Sequence, residues 1–261
     1  MNVLVCAKQV PNTNEVKIDP IKGTLIRDGV ESILNPDDAN ALEEALLLKD
    51  KNPDVKVTVI SMGPPQADEM LRECLAMGAD EAILLSDRAF GGADTYATSN
   101  AISAAIEKIG NYDIIFAGRQ AIDGDTAQVG PQIAEKLNIP QITYVQKFDI
   151  QGDEITAQRQ LEDGYELISV KIPVMLSAVK ELNCPRYMSV DGIYRAYESE
   201  IPVWGLKDLT VDEEEVGLKA SPTKVFRSFV PQPKGKGVML EGNNKDKVNK
   251  LMGSLKEKHI I

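Results

Sequence analysis

The sequence has 261 residues and carries 29 Lys and Arg against 40 Asp and Glu, a net charge of −11 at pH 7. Such an acidic chain is a poor candidate for binding nucleic acid or an anionic membrane surface, because both require a positive face. Hydrophobic residues make up 43% of the chain, which is ordinary for a globular protein, and no apolar run is long enough to cross a bilayer. We therefore expect no nucleic-acid partner and no membrane insertion.

Cysteine and histidine usage excludes several kinds of catalytic site. Cys6, Cys74 and Cys184 lie far apart without a C-x-x-C motif, and the single histidine, His259, is close to the last residue. A Ser-His-Asp triad, a Cys-His pair or a His-ligated metal needs an imidazole inside a folded site. We therefore expect no catalytic side chain of these kinds and no metal site. The sequence begins with an apolar run and no basic leader, so we expect a cytoplasmic protein.

Apolar strand-like runs alternate with amphipathic helical windows in the first part of the chain. Four runs are typical of buried strands, namely 3–10, 55–60, 82–85 and 114–117. Four helical windows lie between or after them: one that Asn35 caps, one that ends at Gly78, one that ends at Gly110, and one over 126–137.

This alternation predicts an α/β fold with a mostly parallel, doubly wound sheet and helices on both faces. Sheets of this kind bind ligands beyond the carboxyl ends of their strands. The segments that follow the predicted strands, and that are therefore the first candidates for a site, are 6–14, 61–66, 86–95 and 118–130.

The pattern changes after residue 142 to the alternation typical of antiparallel strands. Three such strands, 143–150, 154–160 and 165–172, are separated by turns at 151–153 and 162–164. We expect them to form a small antiparallel addition to the parallel sheet.

The periodicity fades from about residue 198, apart from a helical stretch over 245–258. Such a segment is either a disordered tail or an arm packed on a partner. An arm is favoured by its apolar side chains, which are Trp204, Leu206, Leu209, Val225, Phe226, Phe229 and Val230. We therefore predict an α/β domain over 1–197 and a C-terminal arm over 198–261.

One glycine-rich segment stands out as a candidate ligand loop. The phosphate-binding motifs G-x-G-x-x-G and G-x-x-x-x-G-K-[ST] are absent from the sequence. Instead, the segment 116–131 leaves a predicted strand, carries three glycines and enters a predicted helix. Gly124 and Gly130 permit close backbone approach or a positive φ angle.

The helix that follows this segment offers a site for a phosphate group. Asp125 or Thr126 can cap it, its N-terminus presents free N–H groups, and Arg119 adds positive charge. The alternative is an ordinary glycine-rich turn with a good cap. Pro131 is expected to weaken the first turns of this helix.

The segment 116–131 resembles the corresponding part of the beta (small) subunit of electron-transferring flavoprotein. The same resemblance is carried by Asn35-Pro36, Ser61 to Pro64, Leu75 to Asp80, Glu162 to Glu166 leading to Pro173, and Leu182 to Tyr187. It covers nearly the whole chain and is weakest after about residue 200.

The resemblance implies an adenine nucleotide alpha hydrolase-like, Rossmann-like fold and a heterodimer with an alpha subunit that holds FAD. In mitochondrial-type members the beta subunit holds a structural AMP. In bacterial electron-bifurcating members it holds a second FAD, which takes hydride from NADH. One electron then passes to ferredoxin or flavodoxin, and the other passes through the alpha-subunit FAD to an acyl-CoA dehydrogenase.

Two residues favour the bifurcating branch, and with it FAD over AMP. Members that bind AMP tend to carry a bulkier acidic residue in place of Gly124 and no threonine at position 126. A dinucleotide needs room and donors for its pyrophosphate, which Gly124 and Thr126 provide. The alternative is a non-bifurcating electron carrier with AMP in this subunit.

The resemblance also implies which residues line the nucleotide. They are Cys6, Ala7, Lys8, Asn35, Asp38, Met62, Gly63, Gly118, Arg119, Gln120, Ala121, Ile122, Asp123, Gly124, Asp125, Thr126, Ala127, Gln128 and Val129. Core packing is the alternative for Cys6 and Met62, and helix capping is the alternative for Asn35. No side chain is expected to act as an acid or base, because the flavin carries the chemistry of hydride transfer.

The segment 186–195 matches the recognition loop with which this family docks onto acyl-CoA dehydrogenases. Val190 occupies the position of the apolar anchor, and Arg186, Tyr187 and Ile193 accompany it. The alternative is an ordinary surface loop. A lysine run follows the loop in mitochondrial members, whereas residues 196–200 here read Ala-Tyr-Glu-Ser-Glu.

A third possibility is a free-standing nucleotide-binding regulatory protein of the same fold. The apolar side chains of the predicted arm argue against it, because a solitary sensor has no use for them.

Overall fold

The structure is a computed structural model that describes residues 1–12, 31–226 and 235–261. The described residues fall into two units, one of residues 1–12 and 31–226 and one of residues 235–261. The last two residues of the predicted 6–14 segment and the predicted arm residues Phe229 and Val230 lie outside the described residues.

The strands are β1 Asn2–Cys6, β2 Gln9–Pro11, β3 Ser32–Leu34, β4 Lys56–Met62, β5 Glu81–Leu85, β6 Ile114–Gly118, β7 Gln141–Gln151, β8 Glu154–Gln160, β9 Tyr165–Lys171, β10 Val174–Ala178 and β11 Val203–Trp204. The α-helices are α1 Pro36–Lys51, α2 Ala67–Met77, α3 Thr95–Ile109, α4 Val129–Lys136, α5 Val190–Glu198, α6 Gly217–Ala220 and α7 Asn244–Glu257.

Within the described residues, nine strands form one sheet in the order β11-β5-β4-β1-β6-β10-β7-β8-β9. In this order, each strand from β11 to β7 is parallel to the next, whereas β8 is antiparallel to both β7 and β9. Side chains from opposite faces of β1 enter two separate cores, one shared with α1 and α2 and the other with α3 and α4. The predicted doubly wound α/β fold with a small antiparallel addition is therefore confirmed.

The first strand is shorter than predicted. The sequence predicts one strand over 3–10, but β1 ends at Cys6, and β2 pairs instead with β3 in a separate antiparallel sheet. The backbone at Lys8 leaves the sheet because its N–H donates to the Asp38 carboxylate and its carbonyl accepts from the N–H of Asn35. The start of α1 thus ends the first strand.

The sequence analysis missed the central strand β10. Its five residues are all buried between β6 and β7. A short apolar run without alternation gives no strand-specific period, which is typical of a strand covered on both faces.

Much of the predicted arm packs on the sheet of the first unit. β11 pairs with β5, and Ile201, Leu209 and Val216 are buried, so this unit extends to residue 226 rather than to residue 197. We call residues 203–223 the strap. Short turns and a two-residue strand build the strap, which explains why its apolar residues show no period. In the other unit, α7 confirms the helix predicted over 245–258.

Candidate functional site

The candidate site lies at the carboxyl edge of the parallel sheet, where β1, β4 and β6 end. The chain passes from β1 to β4 on one side of β1 and later returns as β6 on the other, which creates a topological switch point. Sheets of this type bind ligands in the crevice at such a point. The structure therefore brings the predicted residues after β1, at the end of β4 and after β6 to a common edge of the sheet.

Asp38 joins the ends of β1 and β6. It lies in the first turn of α1, and its two carboxylate oxygens accept from the backbone N–H groups of Lys8 at 2.8 Å and Gly118 at 2.9 Å. Burial raises the pKa of Asp38 to about 7, against the opposing effect of these hydrogen bonds. Asp38 therefore holds the two strand ends in register at the switch point.

Asn35 occupies the N-cap position of α1, but the prediction that its side chain caps the helix is wrong. The fully buried side chain donates from Nδ2 to the carbonyl of Gln120 at 2.9 Å and accepts at Oδ1 from the N–H of Ile122 at 3.1 Å. Buried backbone groups require partners, and one amide supplies both a donor and an acceptor to the chain that follows β6. Asn35 thus anchors that chain.

We call residues 119–128 the ligand loop. Residues 122–126 are exposed, whereas the loop is tied down at its base, where the N–H of Arg119 donates to the carbonyl of Ala178. Lys8 Nζ lies 2.7 Å from Asp123 Oδ1, and Gln120 Nε2 lies 2.9 Å from Asp125 Oδ1. Asp125 and Ala127 adopt positive φ angles of 49° and 52°. The loop is thus a shaped, solvent-facing turn on a fixed base.

A second basic group stands beside the ligand loop. Arg119 Nε lies 3.3 Å from Asp37 Oδ2, yet both atoms are buried without a hydrogen-bond partner among the residues that the structure describes. Burial raises the pKa of Asp37, and the Arg119 charge opposes that rise. The guanidinium is therefore close to an acid without being tightly bonded to it, which leaves donors for another anion.

The helix after the ligand loop begins later than predicted. α4 starts at Val129 with Gln128 at its N-cap, so neither Asp125 nor Thr126 caps it. Pro131 is then the third helical residue, in the first turn, where a backbone N–H has no intrahelical partner and proline is tolerated. The expected weakening by Pro131 is thereby avoided.

Gly124 and Gly130 have different roles, and neither has a positive φ. A Cβ at Gly130 would overlap the terminal methyl of Met175, so that flexible side chain would have to move to admit it. A Cβ at Gly124 would meet nothing within 4 Å. Open space therefore lies in front of the ligand loop at Gly124.

Cys6 and Met62 pack into the core beneath this edge, which is the alternative role that the sequence predicts for them. Burial, and secondarily the charge of Asp38, raise the pKa of the Cys6 thiol to about 12. The thiol is thus neutral at pH 7 and unsuited to nucleophilic chemistry. Ala7 is also buried, and the N–H of Gly63 donates to the carbonyl of Leu85.

Sequence reasoning singled out no side chain in the 86–95 segment, but the structure places Thr95 against the ligand loop. Its hydroxyl donates to Gln128 Oε1 at 3.0 Å and accepts from Gln132 Nε2 at 3.3 Å. The available signal was its position at the end of the segment that follows a predicted strand and at the start of a helix.

The predicted recognition loop is mostly a helix. Residues 186–189 are irregular, and α5 covers the rest. Tyr187 is 97% exposed, Val190 is 88% exposed and Ile193 is 38% exposed. Gly192 lies so close to the carbonyl of Ala76 that a Cβ there would collide with it, which packs α5 directly on α2.

Arg186 does not belong to this exposed set. Its guanidinium binds both carboxylate oxygens of Glu43, at 2.9 and 3.0 Å, and reaches Asp50 Oδ2 at 2.7 Å. Asn183 reinforces the attachment by donating to Glu44 at 2.7 Å. Arg186 therefore fastens the start of the docking segment to α1, and its role as a partner contact stays a prediction.

We expect Arg186→Ala to lower the free energy of unfolding by about 2 kcal/mol, because it leaves the buried Glu43 carboxylate unpaired while partial exposure of Arg186 moderates the loss. The Glu43 side chain is 5% exposed and that of Arg186 is 30% exposed. Urea unfolding measures the change. Lys171→Ala, which breaks the exposed pair with Asp153, is the control and should cost no more than about 0.5 kcal/mol. Equal losses would contradict the anchoring role.

Within the described residues, no helix combines the length and apolarity needed to cross a membrane.

Comparisons with known proteins identify the family. Residues 22–209 match the electron transfer flavoprotein domain. The chain is 62% identical over 262 residues to the caffeyl-CoA reductase-Etf complex subunit CarD of Acetobacterium woodii, with 100% of both chains covered. It is 60% identical over 261 residues to the electron transfer flavoprotein subunit beta of Clostridium acetobutylicum, and 51% identical over 269 residues to the acryloyl-CoA reductase electron transfer subunit gamma of Anaerotignum propionicum, again with 100% of each chain covered.

Proposed function

This chain belongs to the electron transfer flavoprotein family, as a beta subunit of electron-transfer complexes, and from that membership we propose that it binds FAD. With its alpha subunit, which carries a second FAD, it would oxidise NADH and divide the electron pair. One electron would go to ferredoxin or flavodoxin, and the other would go through the alpha-subunit FAD to an acyl-CoA dehydrogenase.

The observation that carries this proposal is the ligand loop at the switch point of the sheet. Asn35 and Asp38 fix its base, whereas residues 122–126 are exposed. A Cβ at Gly124 would meet nothing within 4 Å, so no atom of the described chain crowds the loop at that position. The preference for FAD over AMP rests on Gly124 and Thr126, through the family resemblance.

The donors around the loop suit a pyrophosphate. Within the described chain no side chain caps α4, so its first N–H groups face a ligand without a competitor. The exposed Thr126 hydroxyl, the Arg119 guanidinium and the Lys8 ammonium add further donors at the same edge. These residues would hold and orient FAD, which when bound supplies hydride acceptance and one-electron release.

The partner surfaces follow from the same reading. Tyr187, Val190 and Ile193 present apolar surface on and before α5, which supports docking onto an acyl-CoA dehydrogenase. Two of the relatives are named as subunits of caffeyl-CoA reductase and acryloyl-CoA reductase systems, which agrees with such a partner.

We propose that the chain after residue 226 contacts the alpha subunit. A cytoplasmic location is part of the proposal, and the free, exposed thiol of Cys184 agrees with it.

The first test is the flavin and AMP content of the heterodimer, purified with its alpha subunit and released by acid. Two FAD per heterodimer without AMP would support the proposal and lead to an assay of NADH-dependent ferredoxin reduction. One FAD with one AMP would contradict it and identify a non-bifurcating carrier.

We expect the double change Gly124→Asp with Thr126→Ala to reduce the flavin content from two FAD to one per heterodimer. The aspartate adds bulk and negative charge where the pyrophosphate would lie, and the alanine removes a donor. The control is Gly164→Asp with Thr156→Ala, which makes the same chemical changes in the exposed β8–β9 hairpin and should retain both flavins. Two flavins in the first variant would show that the nucleotide site lies elsewhere.

A further inference from the structure

Thr95 connects the start of α3 to the ligand loop and to α4. Its hydroxyl donates to Gln128 Oε1 at 3.0 Å and accepts from Gln132 Nε2 at 3.3 Å. Next to it, Lys136 Nζ of α4 lies 4.0 Å from the ring centroid of Tyr96. The end of the loop and α4 are therefore attached to the N-terminus of α3 at two adjacent residues, at Thr95 through Gln128 and Gln132 and at Tyr96 through Lys136, the last residue of α4.

The chemistry of the Thr95 hydroxyl determines what Gln128 can offer a ligand. A hydroxyl has one proton, and this one is donated to the carbonyl oxygen of the Gln128 side chain. The amide nitrogen of Gln128 keeps two hydrogens that bond to no other residue in the described parts of the chain. Gln128 is the N-cap residue of α4, so its backbone adjoins the first N–H groups of that helix, while its side chain reaches Thr95 and does not cap the helix.

Thr95 is itself held firmly by the residue before it. The Asp94 carboxylate accepts from the N–H of Ala97 at 3.1 Å and from the N–H and hydroxyl of Thr223, in the strap, at 2.9 and 2.6 Å. The N–H of Asp94 also donates to the Ser221 hydroxyl at 2.8 Å. The strap and the helix cap therefore fix the backbone from which the Thr95 hydroxyl reaches Gln128.

We propose that Thr95 is a positioning residue of the nucleotide site, which holds Gln128 so that its amide hydrogens donate to the phosphate groups of the nucleotide bound in this chain. The inference rests on the proposed function only in that a nucleotide occupies the ligand loop. It is the same for FAD and for AMP, because both carry a phosphate on the adenosine side.

The test measures the rate at which the purified heterodimer releases the nucleotide of this chain. Thr95→Val keeps the side-chain shape but loses the hydroxyl, and we expect release about 10-fold faster, the value of one hydrogen bond to a group that contacts a charged ligand. Thr95→Ser should restore the rate to within about twofold. The control is Thr98→Val, one turn along α3, whose hydroxyl makes no hydrogen bond to the ligand loop. It should release at the wild-type rate.

A Gln128→Ala background separates positioning from a general loss of stability. If Thr95 acts through Gln128, Thr95→Val adds no further increase in the release rate in that background. Equal release from wild type and Thr95→Val, an undiminished effect in the Gln128→Ala background, or a failure of serine to restore the rate would each overturn the inference. Nucleotide analysis of the wild type separates this from the proposed function. AMP in place of FAD contradicts bifurcation but leaves the release test in force, whereas a chain without nucleotide overturns both.

Discussion

Replacing Gly118 with alanine is expected to lower the free energy of unfolding by about 3 kcal/mol, at the upper end of what overpacking costs, and to release the nucleotide that we propose this chain binds. A Cβ at this position would overlap Asp38 Oδ1 and would lie 2.7 Å from both the carbonyl carbon of Asp37 and the nitrogen of Asp38. Two of these atoms are backbone atoms of the first turn of α1, which cannot rotate away. The methyl group must therefore separate β6 from α1 and break the hydrogen bond between the Gly118 N–H and Asp38.

Gly124→Ala is the matched control for this change. The same methyl group would meet nothing within 4 Å at Gly124, and the backbone there has no positive φ. Its effect on stability should stay within about 0.5 kcal/mol. Urea unfolding compares the stability of the two variants, and nucleotide content is measured for Gly118→Ala against wild type. Equal behaviour of the two would show that the contact between β6 and α1 is not critical for the site.

The parts of the site that could be predicted are those with a local signal. The strand end near Gly118 and the glycine-rich loop that follows it are predicted by periodicity and composition. These features belong to single stretches of chain, so the sequence shows them directly. The family resemblance then supplies a nucleotide as the expected ligand of the same loop.

What the sequence could not show are pairings between residues far apart in the chain. Asn35 has the composition and position of a helix cap, yet its partners lie 85 and 87 residues away in the ligand loop. Arg186 is of a residue type that is usually exposed, yet it is bound to Glu43, 143 residues away. A side chain satisfies whichever polar group the fold brings next to it, and local propensity carries no information about that choice.

The stability of the protein is expected to fall as pH rises from 5 to 8 because of Asp38, and this component should disappear in the Asp38→Asn variant. Burial raises the pKa of Asp38 to about 7 in the folded chain, whereas a carboxyl in the unfolded chain titrates at about 3.8. Between these values the folded state binds more protons than the unfolded state, so stability decreases as pH increases. The stability that neutral Asp38 contributes is present below pH 4 and is lost by about pH 7.

The expected size of this component is roughly 2 to 3 kcal/mol between pH 5 and pH 8, from about 1.4 kcal/mol per pH unit for one proton. Urea unfolding at constant subunit concentration measures this component as the difference in stability between wild type and Asp38→Asn. As pH rises, wild type should become less stable relative to the variant. Asp87→Asn is the control, because the N–H groups of Ala89 and Leu206 hold the pKa of Asp87 below its usual value. That carboxyl stays ionised in both states above pH 5, so its variant should differ from wild type by a constant amount. A constant difference for Asp38→Asn as well would mean that Asp38 remains ionised throughout and that its two backbone donors outweigh its burial.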